Sequence, residues 1–355
     1  MSQSANTVGV QFRLVRKNRT CRHFIGGDSS SPPSCIAIAW KCVVIFSILG
    51  VFGSGPAQGA VGDRVRTVTL PPEIECRVEG VADHVAISVA VVPRTVLGIP
   101  GDRALLATSC RSAQGSTIYF VDPGPPDRSV SEFAGTVVQP PQGPLITKMN
   151  GTVFAPPNGW GAFAFRGEVI PQDMLACSNP ASSDEPHGIY SIDLRTGAAR
   201  HLFDARTATG EPATTPGLPY CDGLAWDAAN DTIYMSPDIS DTVYHYDLTG
   251  TEILLPGSTP QRPLRLNVPS GCFARDATGI ISGNSGIAVV GPNLLLACNG
   301  EERIFEIKQS DGEVVRSFPS GAERAEDLEC DRMTFGPGLS VAWTKDAFHS
   351  PLHCL

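Results

Sequence analysis

Downstream of residue 60 the chain carries eight cysteines: Cys76, Cys110, Cys177, Cys221, Cys272, Cys298, Cys330 and Cys354. An even number of thiols in an exported chain reads as a disulfide framework, although eight cysteines allow about 100 pairings and spacing does not choose among them. None of the eight forms a CxxC pair, so a zinc ribbon or a thioredoxin-type redox site is not expected. Six of the seven histidines, His84, His187, His201, His245, His349 and His353, lie in the same part, scattered without His-x-His or HExxH spacing. No Gly-x-Ser-x-Gly nucleophile elbow and no GxxxxGK[ST] phosphate loop is present. Asp276 and Asp311-Gly312 sit where turns need a side-chain acceptor for the backbone. Asn150-Gly151-Thr152 and Asn230-Asp231-Thr232 fit the N-glycosylation pattern, which matters only in a eukaryotic secretory pathway. Any chemistry must therefore come from residues that the fold converges.

Charge narrows the class further. The chain has 27 Lys+Arg against 36 Asp+Glu, a net of −9, which excludes a general nucleic-acid binder. Residues 1–60 hold six of the bases (Arg13, Arg16, Lys17, Arg19, Arg22, Lys41) and a single acid, Asp28. An apolar run from Cys42 to Gly53 follows, then the small-residue stretch Ser54-Gly55-Pro56-Ala57-Gln58-Gly59-Ala60. A basic lead, a short apolar segment and a small-residue exit predict a secretory signal peptide. The alternative is an uncleaved membrane anchor, which would need about 20 apolar residues and would bury Lys41. Either way residues 61–355 form an acidic exported part with 21 basic and 35 acidic residues, a net of −14.

That part lacks long amphipathic patterns. Its 36 Gly and 30 Pro, counted over the whole chain, break short apolar runs that read as many short strands. One module recurs: a small-apolar strand, a second apolar strand, then a hairpin strand with an Ile-Tyr-like pair and a charged turn. The clearest copy is Cys221-Asp222-Gly223-Leu224-Ala225-Trp226, Thr232-Ile233-Tyr234-Met235 and Val243-Tyr244-His245-Tyr246-Asp247. Further copies center on Ala162–Asp193 and Ser285–Ile307, with weaker ones around Leu105–Asp122 and Glu326–Trp343. Second strands recur at intervals of roughly 46 to 69 residues, the spacing of four-stranded propeller blades with variable loops. At about 50 residues per blade, the exported part predicts an all-β, six-bladed propeller whose Gly- and Ala-rich first strands line a channel. An open ring would leave bare sheet edges. Arg66-Thr67-Val68-Thr69-Leu70, which alternates suitably, is therefore expected to close the last blade beside the C-terminal strand.

The stretch DGLAWDAANDTIYMSPDISDTVYHYDLTG at 222–250 and the blade SGIAVVGPNLLLACNGEERIFEIKQSDGEVVRSFP after it resemble the SMP-30/gluconolactonase-like family of six-bladed propellers. They are more loosely similar to NHL and other YVTN-type propellers. The resemblance covers about 220–320. It implies a divalent cation, commonly calcium, at the top of the channel, held by Glu and Asn/Asp oxygens, and an Asp that serves as general base in lactone hydrolysis. Asp222 stands at the first matching position and is an acceptable oxygen ligand. The base position is Ser285, a poor base and a weak ligand, so the implied lactonase loses its base. Glu326 and Asp327 of the last copy complete a possible metal set with Asp222. Asn284, Ser285 and Asn299 are the expected ligand contacts.

These readings lead to a secreted or periplasmic propeller, or one tethered by its N-terminal segment, that binds a protein partner or small ligand on its channel face without a firm catalytic base. The alternative is a calcium- or other divalent-metal-dependent hydrolase of lactonase type.

Overall fold

The computed structural model describes residues 63–354 except 72–73, 75–87, 110–116, 168–171, 217–219, 239, 257, 259–262, 266–271, 273–283, 323, 336–338 and 347–350. The signal or anchor segment expected at 1–60, and Cys76 and Cys110, lie outside the described residues.

Short strands dominate, and they assemble as the repeat predicts. Blade I comprises Ala90–Pro93, Ala104–Ser109, Thr117–Asp122 and Thr136–Val137. Blade II runs Trp160–Phe165, Asp173–Ser178, Gly188–Asp193 and Ala199–Asp204, and blade III runs Cys221–Asp227, Thr232–Pro237, Thr242–Asp247 and Leu264–Arg265. Blade IV is Asn284–Val290, Asn293–Cys298, Arg303–Lys308 and Val314–Pro319. Blade V begins with Ala325–Asp331, Val341–Asp346 and Pro351–Cys354. Within each of blades II, III and IV every neighbouring pair is antiparallel.

Each blade buries its faces against its neighbours. Val92, Phe120, Trp160 and Met174 share one core between blades I and II, and Leu175, Phe203, Leu224 and Tyr246 another between II and III. Leu296 and Val243 join III to IV, Ala288 and Leu328 join IV to V, and Val341, Trp343, Val91 and Leu106 join V back to I. The cores therefore form a complete ring, and the fold is a β-propeller. Among the described residues this ring has five blades, which corrects the six expected from length. The physical reason is that the connections are long. Residues 123–159 carry crossing and satellite strands, including the hairpin Lys148–Met149 with Thr152–Val153, and supply no extra inner strand.

Glycine sets the spacing at the axis. A Cβ on Gly223 would lie 2.9 Å from the backbone nitrogen of Ile287, and one on Gly286 would lie 2.9 Å from the backbone of Asp327. Such contacts are closer than a side chain tolerates, so the small residues of the first strands are what let blades III, IV and V approach.

Closure follows the expectation for residues 66–69. Arg66–Thr69 pairs antiparallel with Pro351–Cys354, with Arg66 opposite Cys354, and becomes the fourth strand of blade V. Glu132–Ala134 then adds in parallel outside it, and the same segment continues into Thr136–Val137 of blade I. The Arg66 guanidinium is fully buried and donates to the carbonyls of Val130, Pro123, Pro125 and Asp127 at 2.6 to 2.9 Å. Charge-assisted bonds of this kind are among the stronger ones available. They anchor the closing strand to the loop that follows the third strand of blade I.

Two disulfides are formed among the described residues. Cys177–Cys221 staples the second strand of blade II to the inner strand of blade III, and Cys272–Cys298 secures blade IV. Cys330 is a free thiol. Bridges of this kind persist in oxidising compartments. No helix among the described residues is long and apolar enough to cross a membrane.

Candidate functional site

The inner strands of blades III, IV and V begin at the same end of the channel, called here the upper mouth. The last residues of the second strands return to that end because each pair is antiparallel. This topology gathers the predicted residues. Asp222, Asn284, Ser285, Asn299 and Glu326 are all buried there.

At the center of the cluster is a residue the sequence did not single out. Arg324 Nε lies 2.5 Å from Glu326 Oε1, and its Nη2 lies 3.3 Å from Asp238 Oδ2 and 3.8 Å from Asp222 Oδ2. Carboxylates from blades III and V thus converge on one guanidinium. Glu326 above all, then Asp238 and Asp222, raise the Arg324 pKa further, against the opposing effect of burial. Behind it Lys345 is fully buried and its ammonium donates to the Asp346 carbonyl. Desolvation lowers the Lys345 pKa to about 7, although Asp346 and Glu326 favour its charged form.

A hydrogen-bonded wall continues into blade IV. Asn299 Nδ2 donates to Ser285 Oγ at 2.8 Å, and Ser285 Oγ donates to Asp238 Oδ1 at 3.4 Å. Asn284 Nδ2 donates to Ser236 Oγ at 2.6 Å, while its buried Oδ1 accepts no hydrogen bond among the described residues. Asp238 and Asn299 occupy equivalent places, one residue beyond a second strand, and Asn179 does so in blade II, where its Oδ1 accepts from Cys221 N at 2.8 Å. That recurrence was the available signal for Asp238. Arg324 had none, because it precedes its strand in a connection without periodicity.

Asp327 does something different from its expected part in a metal set. It lies at a bulge with φ 50°, and its fully buried carboxyl turns to the axis. Oδ2 accepts from Val89 N at 2.9 Å and Phe163 N at 3.0 Å, and Oδ1 from Leu328 N at 3.0 Å. Burial pushes its pKa well up, and these three N–H donors hold it back. The side chain pins blade V to the inner edges of blades I and II. The oxygens suggested for calcium are therefore committed, Asp222 and Glu326 to Arg324 and Asp327 to backbone amides. No grouping of three or more His, Cys, Asp or Glu side chains arranged for a metal exists among the described residues.

The opposite end, the lower mouth, opens into a recess of about 380 Å³. All five blades line it, through Val91, Phe165, Trp226, Val289, Glu329 and Arg332 among others.

No family model matches this chain, and no curated protein matches it. Among solved structures it is similar to glutaminyl cyclase of Myxococcus xanthus, at 10% identity over 82% of this chain and 94% of that one, with a TM-score of 0.44. It is also similar to the PQQ-bound aldose sugar dehydrogenase of Streptomyces coelicolor, at 13% identity over 76% and 93%, with a TM-score of 0.38. A nidogen/laminin complex matches at 11% identity over 66% and 80%, with a TM-score of 0.34.

Proposed function

We propose that this chain is an exported binding propeller whose channel face receives a small polar ligand or a partner, and whose upper mouth works with a built-in cation in place of a metal ion. The observation that carries this reading is Arg324, held by Glu326, Asp238 and Asp222. A guanidinium satisfies those carboxylates permanently, so the mouth is preorganised without calcium. Four acids (Asp222, Asp238, Glu326, Asp346) surround two bases (Arg324, Lys345), and Asn284 Oδ1 is an additional acceptor. The rim thus favours a ligand rich in hydrogen-bond donors. Hydrolysis of a lactone finds no base at Ser285, whose hydroxyl is engaged by Asn299 and Asp238. Export is supported by the two disulfides and by the basic, apolar and small-residue order of residues 1–60.

The test is a calcium titration by calorimetry, paired with thermal unfolding in millimolar calcium and in chelator, and with a lactone panel. The expected result is no binding heat, coincident melting curves and no turnover above buffer. Saturable calcium binding that is lost in Asp222→Ala and Glu326→Ala, together with lactone turnover, would establish the hydrolase instead.

A further inference from the structure

We propose that the lower-mouth recess is a second binding site, and that it takes a small aromatic carboxylate. This proposal is independent of the upper mouth. Its volume, about 380 Å³, lies within the range of about 300 to 1,000 Å³ that accommodates small ligands. Its walls offer apolar area where a ring would lie: Phe165, Trp226 and Val289 are partly exposed, and Met333 is 38% exposed at the rim. The Trp226 indole N–H is already donated to Asp231 Oδ1 at 3.1 Å, so the ring presents an apolar surface to the recess.

The polar groups give the sign of the ligand. Asp227 accepts from Ala229 N at 2.9 Å and from Asn230 Nδ2 at 2.8 Å. Glu329 Oε2 accepts from Phe165 N at 3.2 Å. The acids of the recess are thus engaged by donors of the protein itself. Arg332 differs, being exposed and making no hydrogen bond or ion pair among the described residues. A planar guanidinium beside aromatic side chains is suited to a carboxylate in bidentate contact. An anion on an apolar ring complements both features at once. The amine of the same shape would lack the Arg332 contact and would have to compete with the protein's own donors for Asp227 and Glu329.

The probe is 2-naphthoate, titrated into the full-length protein by calorimetry, with 2-naphthylmethylamine as its cationic counterpart. Saturable binding of the carboxylate and at least about tenfold weaker binding of the amine are expected. Arg332→Gln should weaken 2-naphthoate by about tenfold or more, the loss anticipated for a charge-assisted contact. Ala228→Trp, at an exposed position on the lining, should block the recess without touching Arg332. The proposal is overturned by any of three results: no saturable binding, equal affinity for the amine, or retention of full affinity by both Arg332→Gln and Ala228→Trp.

Discussion

Replacing Arg324 by alanine isolates the energetic role of the upper mouth. The substitution strands Glu326, Asp238 and Asp222, whose oxygens lie 2.5, 3.3 and 3.8 Å from the guanidinium. At an effective dielectric of about 20, a unit pair at about 4 Å is worth roughly 4 kcal/mol before desolvation is subtracted. The Arg324 side chain is 13% exposed while its partners are at most 4% exposed, so the acids lose most when it leaves. Breaking a buried pair by removing one member costs about 3–5 kcal/mol. We expect that loss at pH 7 in urea unfolding, and a fall in melting temperature of roughly 6 to 15 °C. Acidification toward pH 5 should narrow the deficit, because protonation relieves carboxylates that have lost their counter-charge. Arg324→Lys should recover part of it, as it restores the charge without the fork. A loss below about 1 kcal/mol at pH 7, or a deficit that widens on acidification, would refute the view that Arg324 organises the three carboxylates.

Three more outcomes follow from burial and closure. Arg66→Ala removes the donor shared by four loop carbonyls and should cost at least about 3 kcal/mol, with faster amide exchange in 351–354; unchanged protection there would separate Arg66 from ring closure. Burial lowers the His187 pKa to about 4, so the unfolded chain takes up a proton first, near 6.5, and stability is lost as pH falls from 6.5 to 4. The loss amounts to about 3 kcal/mol, and His187→Gln should flatten the slope measured by denaturant unfolding across that range. Opening Cys177–Cys221, which spans 44 residues, should destabilise the protein by about 4 kcal/mol in the chain-entropy treatment, measured as Cys177→Ser/Cys221→Ser against the parent.

Much of this architecture is legible in the amino-acid sequence. Short apolar runs and recurring Gly-Leu-Ala-type strands predict blades because each inner strand is buried on both faces by its neighbours. Arg66–Leu70 was recognisable as a closing strand because it alternates and because an open ring would leave a bare sheet edge. Blade number was not, because dividing length by a mean repeat treats connections such as 123–159 as blade. At the upper mouth, Asp222 and Glu326 were visible through their place in the repeat. Arg324 was not, since a side chain reaching from an irregular connection leaves no periodic trace, whereas Asp238 had a signal only in its equivalence to Asn179 and Asn299 one residue beyond a second strand. Asp327 was found, but its direction depends on a local bulge and a positive φ that composition does not encode.

The pairing of Arg66–Thr69 with Pro351–Cys354 also has a consequence in time. About 285 residues separate the two partners along the chain. At roughly 5–20 residues per second, a ribosome needs some 15 to 60 s between making one and the other. Blades II, III and IV each consist of consecutive segments and can form as they emerge. The earliest strand can gain its parallel partner Glu132–Ala134 early, but its other edge must wait until the last strand arrives, and long-range pairing of this kind is slow to form. Until then, the waiting edge of that strand is the part of the ring most exposed to mispairing.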